Sequence, residues 1–249
     1  QAGDLKYVAR ICRLVGGMPL GILLAAAWVE MFSLQEIAAE IGQSLDFLET
    51  EMRDVPQRHR SVRAVFESSW SLLPAAERET FMKLSVLRGG FTRKAAGSAA
   101  GASLRTLIGL VNKSLLRRDP ASGRYEVHEL LRQYAGEQLQ AAGQAGAVRD
   151  AHCVYYAGFM ERRQADIQGR RETEAGREIE TDFENVRAAW RWAVQGKDYA
   201  ALDQAAISLY MFLDMRDRYY EGEELFRPAR EALAPQAGEE PHPAWGRLL

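Results

Sequence analysis

Four consecutive residues between two apolar stretches, Gly17-Met18-Pro19-Leu20, mark a place where a ligand could bind. A proline at the start of a helix is compatible with helix geometry, and the N–H groups at that helix end attract anions. The proline ring also offers a flat apolar surface on which an aromatic ring could pack. The other interpretation is a tight turn between two helices that binds nothing.

His128 is the second candidate, because it lies where a strand-like run ends and a helix begins. A histidine at that position could donate a hydrogen bond to a phosphate group. The alternatives are a helix cap and an ordinary surface residue. The other histidines, His59, His152 and His242, are isolated from one another and from His128 in the sequence, so they do not indicate a metal site.

Catalytic motifs are missing from the 249 residues. The only Gly-Lys pair, Gly196-Lys197, is followed by Asp198 and does not complete a phosphate-binding P-loop. Paired cysteines, His-Glu-x-x-His and nucleophile-elbow patterns are missing as well. We therefore expect no catalytic residue, no metal ligand and no enzymatic activity within this chain.

The elements that must position the corner at Pro19 are helices. Apolar residues at helical spacing predict one helix over Asp4–Val15, which Gly16-Gly17 ends, and a second helix that Pro19 begins. Ser33, with Glu36 three residues later, predicts a capping box for a third helix. These three helices are expected to form a small bundle.

The segment that carries His128 is predicted to be a winged helix-turn-helix. Helical stretches are followed by two strand-like runs, 114–118 and 124–127, which a turn containing proline and glycine joins. A hairpin after the third helix is the order found in winged helices. Because the polar stretch Met52–Arg60 precedes this segment, we place a domain boundary near residue 57.

The predicted organisation therefore has three parts: residues 1–57, 58–145 and 146–249. In the third part helical hairpins follow one another, and Gly222, Phe226 and Ala229 have the spacing of the small, aromatic and small positions of a tetratricopeptide unit. The fold class we expect is mainly α, with a three-helix bundle, a winged helix-turn-helix with a small β-hairpin, and TPR-like helical repeats.

The beginning of the chain and its composition predict a compartment. The chain begins with Gln1 and shows no signal peptide, so we expect it to be a piece of a longer protein. Cys12 and Cys153 are far apart, which does not indicate a disulfide framework, and no apolar stretch is long enough to predict a membrane helix. These features predict a cytoplasmic protein.

Charge is distributed unevenly along the sequence. The net charge of the whole chain is −2, whereas Arg58 to Arg132 contains 14 basic and 6 acidic residues and is net +8. This surplus indicates a nucleic-acid surface or a face directed toward phosphates or acidic neighbours. The candidate reading helix, Ser103–Lys113, is mostly apolar, whereas base reading needs several polar side chains. Direct DNA reading by this winged helix is therefore less favoured.

The order of these motifs resembles the STAND/NB-ARC signalling ATPases of the bacterial LuxR- and AfsR-like regulator type. Residues 11–28 are similar to the Gly-Leu-Pro-Leu motif of that family. The winged-helix part of that family is similar to residues 60–73, 81–91, 110–116 and 125–135. The opening of the family's helical-repeat sensor is similar to Asp182–Ala193. The resemblance covers nearly the whole chain.

The resemblance implies a nucleotide site to which this chain contributes one half. Pro19, with Gly17 and Leu20 beside it, matches the adenine side, and His128 matches the histidine that contacts the ADP phosphate. Val and Glu replace the Met and Asp that usually flank this histidine. ADP or ATP with Mg²⁺ would bind firmly only in the parent protein, together with an upstream P-loop domain of the same chain.

The function that the resemblance implies is the regulatory portion of a nucleotide-switched signal-transduction ATPase and transcription regulator. The helical repeats would sense an inducer or a protein partner, and DNA would be bound through another domain of the parent protein, which would be a slow regulatory ATPase. Two alternatives remain open. One is a DNA-binding winged-helix transcription factor, and the other is a TPR-like adaptor without a nucleotide role.

Overall fold

The fold is mainly α with three very short strands, which confirms the expected fold class. The computed structural model describes residues 2–29, 31–48, 61–234 and 246. The predicted boundary at Met52–Arg60, and with it His59, lies outside the described residues, as does His242. None of the helices in the described part is long and apolar enough to cross a membrane.

The described chain divides into two compact units. The first unit consists of Gln1–Ser85, Ser103–Arg118 and Glu126–Gly143. It contains the predicted three-helix bundle and much of the predicted winged helix. Its helices are α1 (Ala2–Leu14), α2 (Pro19–Ala27), α3 (Leu34–Gln43), α4 (Val62–Ser71), α5 (Ala75–Leu84), α7 (Leu104–Asn112) and α8 (Glu129–Ala141), with a 3-10 turn at Leu45–Phe47.

The second unit consists of Val86–Ala102, Asp119–Tyr125 and Gln144–Leu249. It contains the predicted repeats together with a helix from the predicted winged helix, which packs against the first repeat helix. Its helices are α6 (Arg93–Ala100), α9 (Ala145–Glu161), α10 (Gln164–Ile167), α11 (Glu172–Gly196), α12 (Tyr199–Met215) and α13 (Tyr219–Leu233). The three predicted domains stay a prediction, because a unit defined by contacts need not follow a domain boundary.

The strands are β1 (Gly90–Phe91), β2 (Arg117–Arg118) and β3 (Tyr125–Glu126), and their order in the sheet is β1-β3-β2. The predicted hairpin between β2 and β3 is confirmed. Its turn is closed by a hydrogen bond from the Asp119 N–H to the Arg124 carbonyl, and Gly123 takes a positive φ of 69° that glycine adopts easily. β1 was not predicted, because two residues carry no periodic pattern.

Local sequence signals set several helix ends among the described residues. Ser33 caps α3 in a complete capping box with Glu36, as predicted. Ser61, Thr92 and Ser103 likewise accept hydrogen bonds from backbone N–H groups at the starts of α4, α6 and α7. The helix that follows Pro74 ends at Leu84. The short helix α10 was missed, since four residues are too few for a helical period.

The core of the first unit joins α8 to the N-terminal bundle. Leu130 and Tyr134 of α8 belong to the same buried cluster as residues of α1 to α4. Burial of these side chains is the main source of stability, at about 25 cal/mol for each Å² of apolar surface. The start of α8 is therefore held near the end of α1. The cluster consists of Ile11, Val15, Leu24, Ala25, Ile37, Ala38, Ile41, Leu45, Leu48, Val62, Phe66, Leu130 and Tyr134.

Candidate functional site

The corner between α1 and α2 is built as the sequence predicted. Gly16 and Gly17 both have positive φ values, 58° and 69°, which end α1 and turn the chain. Pro19 then occupies the first turn of α2 and is exposed. Leu20 is partly buried against the core of the unit. The corner thus presents an apolar ring to solvent on a fixed backbone.

The N-terminus of α2 has no side-chain cap. Met18, at the capping position, is extended and makes no capping hydrogen bond, and the first turn has no acidic residue. The first N–H groups of a helix have no partner inside the helix, and together with the helix dipole they favour an anion. This end of α2 therefore favours a negatively charged ligand.

His128 caps α8, so the cap interpretation is confirmed. Its Nδ1 accepts a hydrogen bond of 3.2 Å from the Leu130 N–H. Because a neutral imidazole that accepts at one nitrogen is protonated at the other, the donor N–H lies on Nε2. The cap therefore sets the direction in which His128 can donate.

The structure brings His128 to the corner. The ring lies directly against Gly16, and a Cβ atom built on Gly16 would be 1.7 Å from Nε2. Nε2 itself is buried and has no hydrogen-bond partner among the described residues. A buried polar atom without a hydrogen-bond partner is uncommon in folded proteins.

The electrostatic surroundings of His128 keep the ring neutral near pH 7. Burial lowers the pKa of His128 below its ordinary value of 6.5. The Val15 carbonyl and the carboxylates of Glu129 and Glu126 oppose this shift without cancelling it. The carbonyl lies close enough to favour the protonated ring, although it makes no hydrogen bond of normal geometry with Nε2. A neutral ring with Nε2–H can still donate to an anionic oxygen.

Gly16 is a site residue that the sequence analysis treated only as a helix stop. It needs its positive φ, and it also needs to lack a side chain, because the His128 ring occupies that space. Gly17 has the same backbone conformation with open space around it. The two glycines look alike in the sequence, so only the contact with His128 distinguishes them.

Part of the predicted basic surplus is matched by acidic residues outside the segment 58–132. In the first unit Arg63 binds both Asp46 and Glu137. In the second unit Arg124 forms a buried pair with Asp182. These pairings reduce the positive charge available to an external anion. Arg93, Lys94, Arg105 and Arg118 remain exposed.

The candidate reading helix, α7, shows an apolar face to solvent. Leu107 and Leu110 are buried, whereas Leu104 and Ile108 are 47% and 49% exposed. The protein therefore covers the inner face of this helix and leaves the outer face exposed. Base edges are read mainly by polar and charged side chains. Between Leu104 and Ile108, the exposed side chain of this kind is that of Arg105.

Metal-binding side chains do not cluster in the described ranges. No group of three or more histidine, cysteine, aspartate or glutamate side chains there could hold a metal ion. Cys12 is exposed and Cys153 is buried, and both are free thiols. Burial raises the pKa of the Cys153 thiol to about 12, so this thiol stays protonated near pH 7.

Comparisons with known proteins give related chains that are much longer. The chain is 33% identical over 211 residues to "Putative HTH-type transcriptional regulator Rv0890c" of Mycobacterium tuberculosis, a match that covers 81% of this chain and 24% of the relative. It is 32% identical over 159 residues to "Uncharacterized protein Rv0894" of the same organism, which covers 59% of this chain and 40% of the relative.

The chain thus spans about a quarter of the length of the first of these relatives. No family model matches the chain. No solved structure matches it either. Of the two relatives named above, the first is named as an HTH-type transcriptional regulator.

Proposed function

We propose that this chain is the regulatory portion of a nucleotide-switched transcription regulator, and that the corner at Pro19 and the ring of His128 form one side of its nucleotide site. The observation that supports this most is the seat of His128 on Gly16, with a buried Nε2 that makes no hydrogen bond of normal geometry to any of the described residues. The sequence interpretation assigned both places to one ligand, and the fold of a single unit brings them together.

The residues fit a purine nucleotide chemically. The exposed Pro19 ring, with Gly17 and Leu20 beside it, would pack against the base. The uncapped end of α2 and the Nε2–H of His128 would favour a phosphate. A P-loop domain elsewhere in the parent protein would supply the remaining phosphate contacts and Mg²⁺, whose chemistry is the neutralisation of phosphate charge.

The ligand would act by selecting one conformation. A nucleotide that contacts the corner, His128 and a P-loop domain at once binds best when all three are assembled, so it stabilises the closed state. The chain itself would hydrolyse nothing, and the parent protein would be a slow ATPase of the cytoplasm. The helical repeats would bind the inducer or protein partner.

The test is the rate of ADP release from the full-length parent protein. His128→Ala removes a hydrogen bond to an anionic oxygen, worth about 1.5 to 3 kcal/mol, so release should accelerate by roughly 10- to 100-fold. His128→Asn keeps an oxygen that can cap α8, and it should release ADP faster as well. Cys12→Ala, which changes an exposed side chain on α1, is the matched control.

Two results would contradict the proposal. One is that His128→Ala releases ADP at the same rate as Cys12→Ala. The other is a Pro19→Ala variant with unchanged ADP affinity, since the base would then not use the corner. The isolated chain should bind ADP only weakly, because each hydrogen bond contributes about 1 kcal/mol. We expect calorimetry to give a dissociation constant above the micromolar range.

A second candidate is DNA binding by the winged helix itself, which the names of the relatives favour. The exposed Leu104 and Ile108 on α7 argue against it. Titration of the chain with duplex DNA at rising salt decides between them. Binding that weakens steeply with salt would support the second candidate.

A further inference from the structure

Exposed aromatic side chains of the second unit gather around the turn between α12 and α13. Tyr210 of α12 and Tyr219 and Tyr220 of α13 are 62%, 63% and 92% exposed. Among the described residues of this unit, Val154 is the other large apolar side chain that is exposed. Tyrosines are typical of binding surfaces, because each ring offers apolar area together with a polar group.

Two carboxylates lie beside these rings. Asp214 follows Tyr210 by four residues on α12, so both side chains lie on one face of that helix. The Tyr219 hydroxyl donates to Oδ1 of Asp217 at 3.4 Å. The negative charges of Asp214 and Asp217 raise the pKa of Tyr219 above its ordinary value of 10, so both carboxylates lie close to this ring. We call Tyr210, Asp214, Asp217 and Tyr219 the tyrosine patch.

The turn that carries Asp217 has a defined backbone. The Asp217 N–H donates to the Asp214 carbonyl, and the Arg218 N–H donates to the Leu213 carbonyl, which ends α12. Asp217 takes a positive φ of 54°, a conformation that aspartate and asparagine adopt more readily than most residues. The patch therefore lies on a fixed backbone, which limits the conformational entropy that binding costs.

The basic residues of this turn are directed away from the patch. Arg216 and Arg218 both pair with Glu180 of α11, at 3.7 Å and 2.6 Å. Neither Asp214 nor Asp217 forms an ion pair with a described side chain. The two carboxylates of the patch are exposed and keep their negative charge toward the solvent.

An exposed aromatic ring beside a carboxylate fits a cation. The face of a tyrosine ring attracts an ammonium or guanidinium group, and a carboxylate forms a charge-assisted hydrogen bond with the same group. Residues 199–234, which include both helices, contain 7 acidic and 4 basic residues, so an anionic ligand is disfavoured. Two rings and two carboxylates offer several such contacts. A ligand with several positive charges therefore fits the patch better than one with a single charge.

We propose that the tyrosine patch binds a peptide segment of a protein partner that is rich in lysine or arginine. This inference rests on the proposed function, in which the helical repeats bind an inducer or a protein partner, and it names the chemistry of that partner. Basic side chains of the peptide pair with Asp214 and Asp217 and lie over the rings of Tyr210 and Tyr219. Because these contacts are exposed to solvent, binding weakens as the salt concentration rises.

The test titrates the complete chain into a fluorescein-labelled octa-lysine peptide and follows fluorescence anisotropy, with labelled octa-glutamate as the control peptide. Asp214→Asn combined with Asp217→Asn should weaken octa-lysine binding by about tenfold. Asparagine accepts the positive φ at residue 217, so this variant keeps the turn. Tyr219→Leu should weaken binding by about two- to fivefold, whereas Tyr219→Phe, which keeps the ring, should change it by less than about twofold.

Glu224→Gln combined with Glu231→Gln is the matched control. Both glutamates are exposed on α13 beyond its first turn, so the change removes the same charge outside the patch. In about 0.1 M salt, charges more than about 10 Å apart are largely screened, and we expect octa-lysine affinity to fall by less than about threefold. An equal loss in the two double variants would show that the peptide responds to net charge, and would overturn the inference.

Three further results would overturn the inference. One is a chain that does not bind octa-lysine. Another is a full-length parent protein that does not bind it although the chain does, because another segment of the parent then covers the patch. The third is a dimer that Tyr210→Leu and Tyr219→Leu dissociate in sedimentation, which would assign the patch to a second copy. None of these results concerns the nucleotide site, whereas ADP release that is independent of His128 would reject that site and leave octa-lysine binding unchanged.

Discussion

The two histidines in the described part of the chain occupy opposite kinds of environment. His128, in the first unit, caps a helix with Nδ1 and keeps a buried Nε2 that has no partner in the described ranges. His152, in the second unit, directs Nε2 at Asn185 and packs against Tyr156 with ring centres 4.8 Å apart. An incomplete set of bonds is typical of a ligand site, and a completed one is typical of a structural network.

The same contrast applies to the residues around each histidine. The corner depends on small and exposed residues, Gly16 and Pro19. The cluster around His152 contains Asp182 and Asn185, whose buried polar groups are hydrogen-bonded within the second unit. Substitutions of the buried Asp182 and Asn185 should therefore lower stability most, while substitution of the exposed Pro19 should change ligand binding more than stability.

The largest effect is expected for Asp182→Asn. This change leaves the Arg124 guanidinium buried without its counter-charge, and loss of one partner of a buried ion pair lowers the free energy of unfolding by about 3 to 5 kcal/mol. Urea denaturation of the chain measures it. Glu180→Gln breaks a surface pair and should lower that free energy by less than about 1 kcal/mol. Equal decreases in the free energy of unfolding for the two variants would show that the pair of Arg124 and Asp182 contributes no more than a surface pair.

Acid should weaken the second unit through His152. Burial lowers the pKa of His152 to about 4, with Arg88 acting in the same direction and Asn185 and Asp182 against it. The folded state therefore prefers the neutral ring. Stability is complete above the unfolded pKa of about 6.5 and falls as the pH drops toward 4, by up to about 3 kcal/mol in total.

Thermal melting of the chain between pH 7 and pH 4 measures this loss. In His152→Gln the side chain does not titrate, so its melting temperature should fall less over the same range. Identical pH profiles for the two proteins would show that His152 is not the group responsible.

Gly16→Ala should be more harmful than Gly17→Ala. Both positions have positive φ, so alanine at either one strains the backbone by about 1 to 2 kcal/mol. At Gly16 the added carbon also meets the His128 ring, which adds about 1 to 3 kcal/mol or displaces the ring. Denaturation gives the difference between the variants, and the His128 ring signal in ¹⁵N-histidine spectra shows the displacement. Equal stability with an unmoved ring would contradict the seat of His128 on Gly16.

The smallest effect is expected for the cap of α8. His128→Ala removes the acceptor of the Leu130 N–H and should lower the free energy of unfolding by about 1 kcal/mol. His128→Asn supplies another capping oxygen and should stay within about 0.5 kcal/mol of the original protein. Urea denaturation can resolve this pair. A larger loss in both variants would mean that His128 is mainly a structural residue, like His152.

Much of the local structure could be predicted from the sequence, because its causes lie within a few residues. Pro19 at a helix start, Gly16-Gly17 at a helix end and the Ser33 capping box are interactions between near neighbours. The hairpin turn before Arg124 is another example. The candidate residues Pro19 and His128 were also found in the sequence, although their nucleotide role stays a prediction.

The contacts between distant segments were decided only by the tertiary structure. Gly16 and Gly17 are each flanked in the sequence by a glycine and an apolar residue. Only the packing of α8 on the N-terminal bundle places the His128 ring against Gly16. Asp182 and Arg124 lie far apart in the sequence. Asp182 begins the segment that is similar to the helical-repeat sensor, with no role of its own, and Arg124 is one of the basic residues of the segment 58–132. Which groups pair in the core depends on how helices pack, and the local sequence does not encode that arrangement residue by residue.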